Sequence, residues 1–441
     1  MASSVFRHRS AASRPTPSSF CAALKFIHCS DLHLDSPLDG LERYPGAPAD
    51  ALRGATREAL SNLVDLAVQR EVDFVVIAGD VFDGEWRDMN TGLFFSAQMR
   101  RLERAGVPVY LKRGNHDARS EVGRALPLPA NVHAFPVGRA HTFRIDALRV
   151  ALHGRSFAGH AVPEDYAAGY PDALPGWFNV GVLHTSLAGY GAHDTYAPTS
   201  LDVLRGRGYD YWALGHVHLR EVLQDRAPRI VFSGNLQGRH ANETGSKGCE
   251  LVEVEGGEVR AVHVPLDVVR WSVVALPIDG LSDEDAFRRL AEARMRERHA
   301  QDDGRLGAWR VVIEGTGELH RWLSARADEV AAELRSLADA ASGGSAWVER
   351  IRVRTALPAR ARRLAADDPL AECVALVDAL LADPATLRGF ADDALHDLIA
   401  KLPSALRSGP RAAGLEDADA LGALLREAEA MLLHRLGREA R

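Results

Sequence analysis

The sequence predicts an α/β fold: a two-sheet sandwich flanked by helices, then a small α+β domain and a helical C-terminal region. Three observations carry that expectation. From Lys25 onward, short apolar runs alternate with segments of helical periodicity, the order that builds a largely parallel sheet. The middle of the chain is dense in strand-like runs. A β-α-β-α-β succession follows, after which the chain turns Ala- and Leu-rich.

Taken in order, KFIHCS is a short strand ending at Asp31. Within 51–70, Leu52, Ala55, Ala59, Leu63 and Leu66 recur at helical spacing and make one apolar stripe. DFVVIAGD is a near-continuous apolar run, the mark of a strand buried on both faces. Residues 90–105 follow helical periodicity, and VPVYLKRGNHD is a strand running into a glycine turn. NVHAF, LRVALHGRSF, FNVGVLHTS, YDYWALGHVH, RIVFSGN, GCELVEVE and EVRAVHVPL are expected to form a second sheet with many antiparallel pairings. This first domain spans 24–266. In 267–356, WSVVALPI, AWRVVIEG and WVERIRVRT read as strands, and 282–298 and 318–338 as helices. Residues 357–441, broken by DDP, ADP and SGP, are expected to hold several amphipathic helices. Residues 1–23 are rich in Ser, Ala and Arg and lack both acids and a continuous apolar core. They are expected to be a disordered extension.

The 441 residues, 46% of them hydrophobic, suffice for two or three domains with a sizeable core. No apolar run is long enough to cross a bilayer, so a soluble, cytoplasmic chain is expected. The formal net charge of -7 argues against a surface that grips nucleic acid everywhere, yet leaves room for a local basic groove. Cys21, Cys29, Cys249 and Cys373 are scattered without a Cys-x-x-Cys pair, against a disulfide framework or zinc knuckle. The chain has no Gly-x-x-x-x-Gly-Lys-Ser/Thr loop, so it is not expected to bind ATP by itself.

The polar residues gather where apolar runs stop. They are Asp31 and His33 in CSDLHLD, Asp80 and Asp83 in AGDVFDG, and Asn115, His116 and Asp117 in RGNHDAR. His184 in GVLHTS, and His216 and His218 in GHVH, complete the series. Binding sites in open α/β sheets form at the carboxyl ends of strands, so five distant segments deliver these groups to one rim. Asp, Asn and His without cysteine suit Mn²⁺, Fe or Zn²⁺. They are too many for one ion, whereas a bridging carboxylate could hold two cations about 3.5–4 Å apart. The glycines before Asp80, Asn115 and His216 are expected to permit sharp turns. His28, His133, His141, His153, His160 and His193 have no metal-like spacing partner and are read as ordinary core or surface residues.

The order Asp-x-His, Gly-Asp-x-x-Asp, Gly-Asn-His-Asp, His, Gly-His-x-His resembles the calcineurin-like metallophosphoesterase superfamily. FIHCSDLHLDSP and SGNLQGRHANETGSKGC are similar to bacterial DNA-repair exonucleases of the SbcD type, in particular a YhaO-like branch. The resemblance covers about 24–266 and implies a two-sheet metallophosphoesterase sandwich. It further implies that Asp31, His33 and His218 bind one metal, that Asn115, His184 and His216 bind a second, and that Asp80 bridges them. By the same resemblance His116 lies near the scissile phosphate and Asp83 orients it. Some nucleases of the family carry histidine at the Asp83 position, and the aspartate here is closer to the phosphatase pattern. Arg113, Arg239 and His240 are the implied substrate contacts, with Gln237 nearby; Arg119, Arg155 and Arg220 sit near the same rim. The 267–356 module resembles a capping domain that helps position DNA. The implied activity is a Mn²⁺-dependent DNA nuclease, 3′–5′ exonucleolytic with some endonuclease activity. DNA, an SMC-like coiled-coil ATPase and a second copy of the chain are the implied partners. The competing readings are a phosphodiesterase on small nucleotides, a protein phosphatase, and a non-catalytic scaffold. The last would be expected to lack a ligand, and every ligand position is filled.

Overall fold

The computed structural model describes residues 23–36, 47–83, 88–120, 128–187, 196–358 and 371–401, with scattered positions from 417 to 432. The N-terminal extension up to residue 22, His193, and the DDP and SGP breaks lie outside the described residues. The chain divides into two compact units: 1–272 with 302–308, and 273–301 with 309–441.

The first unit holds two six-stranded sheets. Sheet one contains β1 (Leu24–Cys29), β2 (Phe74–Ile77), β3 (Val109–Leu111), β4 (Val132–Ala134), β11 (Gly248–Glu255) and β12 (Glu258–Pro265), in the order β12-β11-β1-β2-β3-β4. Sheet two contains β5 (His141–Ile145), β6 (Val150–Gly154), β7 (Phe178–His184), β8 (Tyr211–Gly215), β9 (Glu221–Gln224) and β10 (Arg229–Phe232), in the order β5-β6-β7-β8-β10-β9. Alternation along each strand feeds two layers of core. From sheet one, Phe26, Phe74 and Val76 face Val180, Val182 and Tyr211 of sheet two. Phe26 stacks on Phe74 at 4.8 Å and meets Tyr211 edge-on at 5.3 Å. The opposite face of sheet one, Ile27, Val75, Ile77 and Val109, packs on α1 (Ala49–Gln69) and α2 (Met89–Arg104) through Leu60, Leu63, Phe95 and Met99. Burial on both faces explains why these strands read as unbroken apolar runs.

Three strands depart from the expected second sheet. NVHAF, GCELVEVE and EVRAVHVPL extend sheet one as β4, β11 and β12. β11 lies antiparallel to β1, with Phe26 opposite Val252, and so carries Val252 and Val254 into the layer between the sheets. β12 follows through Gly256 and Gly257, whose φ of 58° and 86° suit a two-residue hairpin. The pairings inside sheet two are parallel, β6–β7, β7–β8 and β8–β10, and only the edge strands are antiparallel. The connections after β6 and β7 each run to more than twenty residues, long enough for the crossovers that parallel pairing needs.

The second unit is built on the three-stranded sheet β13-β14-β15 (Val269–Pro277, Leu306–Thr316, Ala346–Ala356). Trp309, Val311 and Ile313 pack against Phe287, Leu323 and Leu334 from its helices. The segment expected as one helix over 318–338 is two, Leu319–Ala325 and Ala327–Ser342, broken at Arg326. The ADP break separates helices Ala371–Ala382 and Pro384–Lys401, where the Asp383 side chain accepts from Ala385 N at 3.0 Å. No helix among the described residues is long and apolar enough to cross a membrane.

His28 is fully buried between the sheets, 3.0 Å from the Tyr211 hydroxyl and 3.2 Å from Leu214 O. Burial pushes its imidazole from 6.5 down to about 3. The unfolded chain therefore binds a proton that the folded chain refuses between those values. This contribution to stability is complete above pH 6.5 and is lost as the pH falls toward 3. The slope that it adds is at most about 1.4 kcal/mol per pH unit. Urea unfolding of wild type and His28→Gln between pH 7 and 5 should show a shallower pH slope in the variant.

Candidate metal centre

Every singled-out ligand type stands at the C-terminal end of a parallel strand. Asp31 and His33 follow β1, Asp80 follows β2, and Asn115 opens α3 (Asn115–Arg119) just after β3. His184 ends β7, and His216 and His218 follow β8. Both sheets thus supply one site. The loops after β1 and β2 run side by side, with Asp31 N on Gly79 O, His33 N on Asp80 O and Leu34 N on Val81 O.

The backbone here is strained. Asp31, His33, Asp80 and His216 have φ of 53°, 41°, 53° and 105°. Left-handed conformations cost non-glycine residues on the order of 1–3 kcal/mol each, and such strain clusters at functional sites. Only one of the three flagged glycines supplies the expected turn: Gly79, at φ 112°. The other two clear space. A Cβ on Gly114 would lie 2.2 Å from Asp80 Oδ1, and one on Gly215 would lie 2.4 Å from Ala78 O.

Asp31, His33, Asp80, Asn115 and His184 are at most 2% exposed. His33 Nε2 lies 3.1 Å from His218 Nε2 and 3.8 Å from Asp80 Oδ2. His218 Nε2 is 3.8 Å from Asp31 Oδ1. On the other side of Asp80, its Oδ2 is 3.3 Å from His184 Nε2, which is 2.9 Å from Asn115 Oδ1. The His216 ring lies 5.2 Å from that of His184, centre to centre. Three triads have donor atoms within 4.8 Å of one another: Asp31–His33–His218, His33–Asp80–His116 and Asp31–Asp80–His184. Ligands about 2.0–2.2 Å from one first-row cation stand about 3–3.5 Å apart, so the donor spacing fits a metal. The charge balance fits too, because carboxylates in so dry a place call for cations. His33 Nδ1 is also buried without a hydrogen-bond partner among the described residues.

The electrostatics favour metal-ready donors. Burial opposes the Asp80 charge, but His184, with His33 and His116, outweighs it and holds the carboxyl well below the usual range. Burial, together with Arg239, keeps His33 well below its ordinary value, and burial with His184 drives His216 down to about 3. Neutral imidazole is the form that binds a cation. His184 goes the other way: burial disfavours its charge, yet Asp80 and Asp31 raise it.

His116 is half-buried, with Nδ1 2.8 Å from Asp83 Oδ1 and its backbone N–H on Asp80 Oδ1 at 3.0 Å. Burial alone would lower its pKa, but the Asp83 hydrogen bond and the Asp80 charge raise it above the ordinary value. Asp83 in turn accepts from Ser36 Oγ at 2.5 Å. Asp117 turns away from the cluster and accepts from Val81, Phe82 and Gly114 N–H groups, tying the Asp80 loop to α3.

The basic residues separate. Arg239 reaches the cluster, with Nη2 2.9 Å from Glu243 Oε1 and Nη1 3.8 Å from Asp83 Oδ2. His240 is exposed, its Nε2 3.5 Å from Glu243. Arg113 is half-buried and lines a small cavity with Phe82, Asp117 and Leu128. Arg155 pairs with Glu164 and covers the Tyr166 ring, and Arg220 forms a bidentate pair with the buried Glu250. The Arg119 side chain lies outside the described residues. Gln237 spends its amide on the backbone of Val268 and Val269 instead of the metal cluster.

Two charged residues escaped the sequence reading. Glu243 Oε1 lies 2.7 Å from His218 Nδ1, while Oε2 accepts from Asn235 and the Arg239 N–H. A carboxylate on the far nitrogen orients an imidazole toward its ion. The signal was an acid inside the polar ANETGSKG loop, four residues after Arg239. Lys112 is fully buried behind the centre, its ammonium over the Phe157 ring at 3.8 Å. Burial lowers its pKa to about 7 against the pull of Asp80, Asp117 and Asp31. It lies within the apolar run VPVYLKR, where nothing in the spacing marks it.

Buried carboxylates and imidazoles at the strand ends of a two-sheet sandwich define a candidate metal-dependent enzyme. The calcineurin-like phosphoesterase model matches residues 24–220, and the model for the middle domain of metallophosphoesterase YhaO matches 271–356. A Bacillus subtilis protein described as an uncharacterized metallophosphoesterase, YhaO, is 35% identical over 306 residues, 68% of this chain and 73% of its own. The chain belongs to the calcineurin-like metallophosphoesterase family, in its YhaO branch; phosphoesterases of that family use a dimetal centre. A Sulfurisphaera tokodaii protein described as the DNA double-strand break repair protein Mre11 is 22% identical over 306 residues, 66% of this chain and 73% of its own. A solved Danio rerio dimetal phosphatase aligns at 13% identity and a TM-score of 0.33, over 54% of this chain and 98% of its own, too remote a likeness to add anything.

Glu243→Ala should weaken Mn²⁺ binding about 10–100-fold by releasing the His218 ring. Calorimetric titration of wild type and variant measures this directly, and an unchanged affinity would remove Glu243 from the site.

Proposed function

We propose that this chain is a two-metal-dependent DNA nuclease of the cytoplasm that hydrolyses phosphodiester bonds in DNA repair, most active with Mn²⁺. The observation that carries the reading is Asp80, buried at 3.3 Å from His184 and 3.8 Å from His33, between two groups of donors. In this reading Asp31, His33 and His218 hold one cation, Asn115, His184 and His216 the other, and Asp80 both. When bound, the two cations supply Lewis acidity, neutralise developing phosphoryl charge and lower the pKa of the attacking water.

The chain's own residues do the rest. His116, whose hold on a proton Asp83 strengthens, donates its Nε2 proton to the leaving oxygen. Asp83 fixes the tautomer by accepting from Nδ1. Arg239 braces both Asp83 and Glu243, and together with Arg113 and His240 it meets the phosphate backbone beside the site. Relatives described as DNA double-strand break repair proteins support DNA as the substrate. The family resemblance supports 3′–5′ exonuclease action with some endonuclease activity, a capping role for 267–356 and an SMC-like coiled-coil ATPase as partner. Met89 and Leu93, 46% and 56% exposed on α2, support a homodimer through the helices of the first unit. Light scattering that returns a monomer across the micromolar range would remove the dimer.

The nuclease reading is tested with end-labelled duplex DNA and a panel of divalent cations. Mn²⁺-dependent release of nucleotides from 3′ ends is the expected result. Asp80→Ala should abolish both metal binding and cleavage. His116→Ala should keep the metals and slow cleavage by about 10²-fold or more. Turnover confined to small diesters would favour a nucleotide phosphodiesterase.

A further inference from the structure

His160 has no metal-like spacing partner in the sequence, but the fold brings it to the flank of His116. It sits in the loop after β6. Two residues on, Val162 bridges in parallel to Tyr196, and Ala197 N donates to Val162 O. The Tyr196 hydroxyl and His160 Nε2 are 3.1 Å apart. On its other side the His160 ring stands 6.1 Å from that of His116, at 83° to it. His33 also stands against His116, at 4.9 Å and 85°. Tyr196 packs 4.8 Å from His216, and its backbone is fastened to Ser186, N–H on Oγ at 3.0 Å.

One hydrogen bond to Nδ1 sets which nitrogen of His116 carries a proton, but leaves the plane of the ring free to tilt about that bond. Perpendicular rings packed against it restrict the tilt. His160 Nδ1 is buried with no hydrogen-bond partner among the described residues, so an imidazole here carries a desolvation cost that a purely packing ring would avoid. What the imidazole adds is the bond to Tyr196, which ties its Nε2 edge in place. We propose that His160, anchored by Tyr196, is a positioning residue for His116, holding its ring edge toward the leaving oxygen. The inference rests on reading His116 as the proton donor and deepens it.

The distinguishing readout is leaving-group dependence. A p-nitrophenolate departs without help from an acid, whereas the alkoxide of a DNA strand needs a proton. Turnover of duplex DNA and of bis(p-nitrophenyl) phosphate is measured with Mn²⁺ for wild type, His116→Ala, His160→Ala, His160→Phe and Tyr196→Phe. The ratio of DNA to p-nitrophenyl turnover should fall about 10-fold in His160→Ala, with a smaller fall in His160→Phe and Tyr196→Phe. Mn²⁺ affinity by calorimetry should be retained. An unchanged ratio in His160→Ala, alongside a lowered ratio in His116→Ala, overturns the positioning role and spares the nuclease reading. An unchanged ratio in His116→Ala overturns the acid assignment and this inference with it. A loss of Mn²⁺ affinity that matches the loss of rate would make His160 a support for the metals, which also overturns it. Should His160→Ala not fold, Tyr196→Phe carries the same ratio test.

Discussion

The structure turns on negative charge held in a dry place. Asp31 and Asp80 are almost wholly excluded from water, and Asp117 and Glu243 are buried beside them. Carboxylates at such depth are costly unless matched by cations and hydrogen bonds. Part of the match is built in. Arg239 serves Glu243, His184 serves Asp80, and Lys112 stands behind the group over Phe157. The remaining demand is one that a pair of divalent ions would satisfy, and the sheets, loops and strained residues surround it.

That demand explains local features that otherwise look wasteful. Four candidate ligands adopt left-handed backbone although none is glycine. The strain is held by parallel hydrogen bonding between the loops after β1 and β2, and by Asp117, which clasps three backbone N–H groups. Gly114 and Gly215 admit close approach of Asp80 and of the Ala78 carbonyl, positions that any side chain would obstruct. Stability has been given up at the rim and recovered in the aromatic and aliphatic layers between and outside the sheets.

The centre is also asymmetric in its solvent contact. Asp31, His33, Asn115 and His184 are sealed, while His116, His216 and His218 are only half-buried. The open side carries the groups that the proposed function assigns to the substrate: His116 with Asp83, Arg239 and His240. Around it runs a chain of rings, His33, His116, His160, Tyr196, His216 and His184, in which each has a neighbour within 6.1 Å. Such packing fixes ring planes that hydrogen bonds alone would leave loose.

By itself the sequence determined the alternating α/β core and the strand ends on which the ligand types sit. Both follow from local patterns: apolar runs, helical stripes, and polar groups placed where an apolar run has no packing use for them. Sheet membership was decided only by the tertiary structure. β4, β11 and β12 look like their neighbours in sequence, and which sheet a strand joins depends on which edge is open, not on composition; β11 reaches back to β1 from the far end of the domain. The supporting residues were decided in the same way. Glu243, Lys112, His160 and Tyr196 act through partners far along the chain, and no spacing rule records a contact that exists only once two sheets have closed on each other.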